Sequence, residues 1–249
     1  MYYDPGNRAV RVKELFARIA PRYDLINTVQ SLGLHKFWKR RVLKLGNLAP
    51  GQSALDVCCG TGDLALAMAD RGATVIGMDF SEPMLDIARR RRKGLKCNAT
   101  KFVEGDALSL PFANESFDLV TCGYGLRNLE DWEQGLQEMH RVARPGGRII
   151  VLDFGKPPSP LFRRLYFAYL RVVVPFFGFL FCGDSAAYAY ILDSLKNFPA
   201  QNGIAASMRR LAMERVRIIE LVGGAMAINY GEKKDSQSGT VSATMTREF

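Results

Sequence analysis

Apolar residues recur at helical spacing through the first fifty positions. Val12, Leu15, Phe16 and Ile19 share one face of residues 8–20, and Pro21 stops the pattern. Residues 35–45 repeat it with Trp38, Val42 and Leu45, and Gly46 supplies the stop. The pattern then changes to short apolar runs alternating with helical segments. Residues 53–58 read as a buried strand, 63–70 as a helix and 74–79 as a strand, after which Ser81 caps a helix running to about Gly94. Residues 101–106 and 117–123 are strands. A helix from about Asp131 ends before Pro145-Gly146-Gly147, and 148–154 form another strand.

This order predicts an α/β fold with a mostly parallel sheet and helices on both faces. After Phe154 two helical stretches, 161–182 and 186–197, interrupt the alternation. Residues 215–221 and 225–230, joined around Gly223-Gly224, then predict a terminal antiparallel hairpin, the last two of seven strands. The expected organisation is a helical cap over 1–50 belonging to the same domain, and a body over 51–231. A helical lid insertion at about 156–200 interrupts the body, and 232–249 form a polar, disordered tail.

Composition narrows the function. With 249 residues, 48% of them hydrophobic, the chain can bury one sizeable core. Five cysteines without zinc spacing fit a reduced, cytoplasmic setting, and no metal site is expected. The first residues contain no apolar run of a signal peptide. The longest apolar run, 172–182, falls short of the roughly 20 residues that span a bilayer, though it can touch one. The net charge of +9 points to an anionic partner, either nucleic acid, a phospholipid surface or an acidic ligand. Residues 8–44 contribute to it most unevenly, with ten Lys or Arg against Glu14 and Asp24. Arg89–Lys93 reads as a solvated helix end, where basic groups also suit the helix dipole.

The segment from Leu55 to Asp63, with Asp56, Gly60, Thr61 and Gly62, is a strand entering a glycine turn and a helix. Glycines there let a ligand approach the backbone, at the sheet edge where ligands bind. Asp79, followed by Phe80, ends the next strand and can accept both hydroxyls of a ribose. The same spacing also fits a dinucleotide fingerprint, which leaves an NAD-dependent oxidoreductase as a rival. Two features favour S-adenosylmethionine. Asp63 at the helix start repels a pyrophosphate, whereas Asp56 and Asp63 suit an ammonium and a sulfonium. Asp106 and Ala107 close the third strand, where an acid can accept from adenine and Leu110-Pro111-Phe112 can flank the ring. Gly123 ends the fourth strand beside the same edge. The predicted class is therefore a Rossmann-like class I S-adenosylmethionine-dependent methyltransferase. No base-flipping, zinc-finger or RNA-binding signature supports a nucleic-acid partner.

Five stretches resemble the UbiE-type family of ubiquinone and menaquinone C-methyltransferases. They are Arg22-Tyr23-Asp24-Leu25-Ile26-Asn27 with Ser31, His35 and Trp38, then Leu55 to Asp63, then Gly123-Tyr124-Gly125-Leu126-Arg127-Asn128, then Arg141 to Arg148, then Tyr188 to Pro199. Ala143 stands where members commonly have Leu. Asp153-Phe154-Gly155 replaces Glu-Phe-Ser, and with Val172-Val173-Val174-Pro175 it leans toward the naphthoquinone branch. The resemblance implies methyl transfer to a ring carbon of a demethylated isoprenoid quinol, first of all demethylmenaquinol. A benzoquinol of ubiquinone synthesis and a phytylated naphthoquinol are the alternatives. Such a carbon becomes nucleophilic when the quinol loses a proton, so the site must favour the phenolate. Arg127 is the candidate oxyanion partner, Tyr23 and Asn128 position hydroxyls or a water, and Asp24 and His35 are candidate bases. His140, mid-helix, is assigned to packing or surface. An anionic membrane surface on the cytoplasmic side is the expected peripheral partner. Neither a monomer nor a homo-oligomer is favoured.

Overall fold

The computed structural model describes residues 8–93, 100–182 and 186–235. A seven-stranded sheet forms its centre, in the order β3-β2-β1-β4-β5-β7-β6. The strands are β1 (Ser53–Val57), β2 (Thr74–Asp79), β3 (Thr100–Glu104), β4 (Phe117–Gly123), β5 (Ala143–Phe154), β6 (Glu214–Leu221) and β7 (Met226–Glu232). All pairings are parallel except those of β7, which runs against both neighbours. This is the sheet the alternation predicts, with its closing hairpin.

Between the strands lie α4 (Asp63–Ala69), α5 (Glu82–Lys93) and α6 (Trp132–Val142). Leu136, Met139 and Val142 of α6 share one core cluster with Val120, Ile149 and Val151, and Leu64 and Leu66 of α4 share a second with Leu119 and Ile150. Ahead of the sheet come α1 (Arg8–Ile19), α2 (Tyr23–Gln30) and α3 (Leu34–Gly46). The first of these packs on α5, and α3 packs on α4 and β5. Between β5 and β6 stand α7 (Pro160–Cys182), α8 (Ala186–Asn197) and α9 (Ala200–Arg210). No helix among the described residues is long and apolar enough to cross a membrane.

Several expectations change. Pro21 ends α1, but the chain makes only a 3₁₀ turn at Ala20–Arg22 and continues into α2. That helix buries one residue, Ile26, so it leaves no periodic apolar signature. The small residues of α9 hid a second helix, which buries Ile204, Ala205 and Met208. Ser81 is no side-chain cap: its hydroxyl makes no hydrogen bond among the described residues, while its carbonyl accepts from Met84 and Leu85. The polar tail begins later than expected, since Glu232 pairs with Arg148 and Lys233 N–H donates to Gly147. The rest of that tail, 236–249, lies outside the described residues.

The strand order reverses between β1 and β4, and in an open parallel sheet the crevice at such a point receives ligands. Two glycines let the loops of this edge close together. Gly62 has φ +84° at the start of α4, and a Cβ there would lie 2.8 Å from the Phe102 ring. A Cβ on Gly125 would lie 2.3 Å from the Cβ of Cys58, so the loops after β1 and β4 meet only because residue 125 has no side chain.

Candidate active site

Two cavities open at this edge, of about 560 and 460 Å³. Both fall in the range that encloses a small organic ligand. They share Phe16, Tyr23 and Tyr124, which form the wall where they meet.

The larger cavity contains Gly60, Asp79, Phe80, Asp106, Ala107 and Gly123, all of them among the residues expected to hold a nucleoside. Asp79 is buried at the end of β2. One of its oxygens accepts from Gly60 N–H at 2.8 Å and the other from Ser81 N–H at 2.9 Å. Each oxygen keeps a further lone pair for a ribose hydroxyl. Burial pushes its pKa up, and the N–H groups of Ser81, Gly60 and Phe80 oppose the shift. Asp106 accepts from Leu108 N–H, which fixes the turn after β3.

The other three expected cofactor residues stand behind this wall. Asp56 is buried, accepting from Thr121 Oγ1 at 2.7 Å and Ala65 N–H at 3.1 Å. Burial raises its pKa to about 7 against those two bonds. It ties β1 to β4 and to the first turn of α4. Thr61 donates its hydroxyl to Asp24 at 2.8 Å, and Gly62 sets the helix start. None of the three lines the cavity. Nor do Leu110 and Phe112, since Leu110 is buried in the core and Phe112 packs edge-on against Phe117. Met78, Met84 and Leu108 supply the apolar surface instead. The sequence hides this because it shows strand ends but not which flank of the loop turns inward.

Asp63 does not supply the free negative charge expected of it. Its carboxylate lies 2.5 Å from both Lys39 Nζ and Arg91 Nη2. Burial would raise its pKa, but the two cations outweigh that and hold it at about 2. It is thus a neutralised cross-link between α3, α4 and α5. The negative wall comes from elsewhere. Asp79, Glu104, Asp106 and Glu130 line the larger cavity against one cation, Lys13, which is paired with Glu104 at 2.8 Å. Such a wall attracts a sulfonium and an ammonium and repels a diphosphate.

The smaller cavity is lined almost entirely by apolar side chains, among them Leu15, Ile19, Trp38, Leu170 and Val174. Polar groups reach it from Tyr23, Asn27, Gln30, Ser31 and His35 on one side and Arg127 on the other. Arg127 is 5% exposed. Its Nη1 donates to Asp153 Oδ1 at 2.7 Å and to the Tyr124 carbonyl at 2.6 Å, and its guanidinium lies 4.5 Å over the Phe154 ring. Asn128 donates to the same Tyr124 carbonyl at 3.1 Å and lines the larger cavity. Burial raises the Tyr23 pKa to about 12, although Asn27 and Arg127 pull it down, so this hydroxyl stays protonated and can donate.

Asp24 has a different task from the expected one. It lines neither cavity, and its oxygens accept from Thr61 and from Arg91 at 3.2 Å, tying α2 to the glycine turn. The acid that pairs with Arg127 is Asp153, at the end of β5. Sequence reasoning missed Asp153, Tyr124 and Lys39. One signal was available: Asp153 ends β5 and Arg127 follows β4, its parallel neighbour, at the same edge.

An acid-lined nucleoside cavity beside an apolar one, at the switch point of a seven-stranded sheet with a closing hairpin, defines a class I S-adenosylmethionine-dependent methyltransferase. Solved structures share this fold. One from Thermotoga maritima, described as a possible histamine N-methyltransferase, aligns with a TM-score of 0.62 at 21% identity, covering 89% of this chain and 99% of its own. Another, from Aquifex aeolicus, gives 0.56 at 16%, covering 78% and 88%. Residues 6–233 match the ubiE/COQ5 methyltransferase family, and the chain belongs to that family. It is 39% identical over 236 residues to a demethylmenaquinone methyltransferase of Halalkalibacterium halodurans, covering 93% of this chain and 96% of the relative. A protein of the same name from Desulfitobacterium hafniense is 39% identical over 237 residues, covering 94% of each.

Proposed function

We propose that the protein methylates a ring carbon of demethylmenaquinol, using S-adenosylmethionine as donor, to give menaquinol. The observation that carries this reading is the pairing of cavities. One is acid-lined and sized for a nucleoside, the other is apolar and open, and they meet at Tyr23 and Tyr124. Asp79 and Asp106 hold the nucleoside, and the acidic wall holds the cationic end. S-adenosylmethionine supplies an electrophilic methyl on a sulfonium. The chain's own residues seat the ring, exclude water and stabilise the phenolate. Arg127 faces the ring oxygen, while Tyr23 and Asn128 orient hydroxyls at the junction. The relatives named demethylmenaquinone methyltransferase favour a naphthoquinol over a benzoquinol. Purified protein given reduced short-tailed demethylmenaquinol and methyl-labelled donor is expected to place label on the naphthalene ring. Absence of labelled menaquinol, with S-adenosylhomocysteine still bound, would overturn the reading.

The cavity mouth supports docking on an anionic bilayer. Leu32 is 88% exposed, and Leu34, Leu165, Tyr169 and Val222 also line the cavity while facing solvent. The Tyr169 hydroxyl donates to the Gln30 carbonyl at 3.3 Å and joins the two sides of this mouth. Lys36, Arg40, Arg41, Arg163, Arg164 and Arg171 stand exposed on the same helices. Within the apolar run 172–182 of α7, the side chains beyond Pro175 lie outside the described residues. Each basic residue near an anionic surface contributes about 1 kcal/mol, and the mouth would let a polyprenyl tail pass between cavity and lipid. The protein is expected to co-sediment with vesicles containing phosphatidylglycerol at low salt and to be released at high salt. Equal binding to neutral vesicles, or none at low salt, would remove this mode.

A further inference from the structure

The polar stripe in the apolar cavity has one internal logic. Residues 23, 27 and 30 recur at helical spacing on α2, Ser31 caps its C-terminus, and His35 follows at the start of α3. Ser31 Oγ lies 2.6 Å from the Asn27 carbonyl. A carbonyl only accepts, so this contact uses the single hydroxyl hydrogen of Ser31. Ser31 Oγ also lies 2.8 Å from His35 Nδ1. With its hydrogen committed, the hydroxyl must accept there, because two lone pairs at that distance would repel. The His35 backbone N–H, at 3.3 Å, uses the second lone pair. The imidazole hydrogen therefore sits on Nδ1, leaving a lone pair on Nε2 that no residue among those described occupies. His35 is 4% exposed and lines the cavity.

We propose that His35 Nε2 takes the hydroxyl proton of the acceptor ring, with Ser31 the positioning residue that holds the imidazole in the competent tautomer. This rests on the reading of the smaller cavity as the seat of a hydroxylated ring. Proton loss to Nε2 gives a phenolate and an imidazolium. The ring carbon beside the C–O⁻ forms its bond to methyl while the methyl–sulfonium bond breaks, which leaves a thioether and a neutral ring ketone. The proton on the methylated carbon then departs to water, and His35 returns its proton to the oxygen. The sum is one methyl gained and one proton released.

Burial lowers the His35 pKa from 6.5, and Lys39 adds to the shift, so the neutral base prevails at neutral pH. The other charged groups acting on the ring are Lys36 on its own helix, Asp63 of α4 and Asp24 of α2. Across the cavity stand the Arg127 guanidinium and the hydroxyls of Tyr23, Tyr124, Tyr166 and Tyr169, whose pKa values burial raises so that they keep their protons. His35 is thus the cavity-lining group whose ordinary titration falls between about pH 5 and 8.

The test is single-turnover methylation of a short-tailed, reduced demethylnaphthoquinol by the full chain between pH 5 and 9. Wild type is expected to lose rate as pH falls through a midpoint below 6.5. His35→Gln should be slower by about 10²–10³ near neutrality, within the span of a lost general base, and should lack that acid limb. Ser31→Ala should slow the step and alter the limb, and Ser31→Thr, which keeps the hydroxyl, should restore both. S-adenosylhomocysteine affinity should hold in all three. A His35→Gln rate within about threefold of wild type, or an acid limb that survives, overturns the proposal. So does a Ser31→Ala variant that only melts earlier with an unchanged pH profile, and that result remains readable if His35→Gln fails to fold. A wild-type enzyme that leaves the naphthoquinol untouched at every pH overturns the substrate reading and this proposal with it.

Discussion

Arg127→Lys is expected to cut single-turnover methylation by about 10²–10³, the scale of losing one oxyanion donor. The guanidinium is held by three features that a lysine cannot reproduce together. It pairs with buried Asp153, donates to the Tyr124 carbonyl and lies over the Phe154 ring. A planar fork can serve several partners at fixed angles, whereas an ammonium is a compact point charge. Lysine keeps the ion pair neutral overall, so Asp153 is not left alone in the core. Removing the charge altogether would cost far more stability, because a buried carboxylate would lose its counter-charge. The variant should therefore fold, melt somewhat earlier and bind S-adenosylhomocysteine as wild type does. The competing account is that Arg127 serves only the Asp153 ion pair. Rate per folded molecule near wild type, with a lowered Tm, would establish that account and remove Arg127 from the chemistry.

The sheet was legible because strand ends and helix stops are local signals. Apolar runs, Asp56 and Asp79 at strand ends, and Gly60 and Gly62 mark one edge without any knowledge of the rest. What escaped depends on pairings between distant residues. Asp153 is the partner of Arg127 across 26 positions, and no spacing rule singles it out from Asp24. Asp63 looked like a free acid at a helix start, and Lys39 and Arg91 reach it from two other helices. The role of α2 was hidden for a different reason. It presents polar residues to an apolar cavity, which inverts the usual pattern, so a search for an apolar stripe passes over it.

The site is closed by the N-terminal helices more than by the sheet. Phe16 and Tyr23 complete the wall between the two cavities, and Val12 and Lys13 cover the nucleoside side. They are held to the body by the buried side chains of Val12, Leu15, Ile19 and Ile26, by Asp24 with Thr61, and by two well exposed pairs, Lys13 with Glu104 and Arg91 with Asp24. Exposed pairs of this kind contribute roughly 0–1 kcal/mol each. Burial of the apolar side chains, at roughly 1.5–3 kcal/mol each, therefore does most of the holding.

Asp79→Ala is expected to abolish measurable S-adenosylhomocysteine binding with the sheet intact. The carboxylate sits at the end of β2 with one lone pair on each oxygen left for ribose, since Gly60 and Ser81 take the others. A charge-assisted hydrogen bond contributes about 1.5–3 kcal/mol, so losing two weakens binding by roughly two to four orders of magnitude. The same substitution frees Gly60 N–H and so loosens the glycine turn, which adds to the loss. Asp79→Asn separates the two effects. The amide oxygen can still accept from one backbone N–H, but the NH₂ meets the other donor and cannot accept from the ribose. Its affinity should fall nearly as far as that of Asp79→Ala if ribose recognition dominates. Calorimetry on both variants, with Tm as the control for folding, decides the matter. Wild-type affinity in either variant would falsify the assignment of Asp79 to the ribose, and strong binding by Asp79→Asn alone would assign it to the turn.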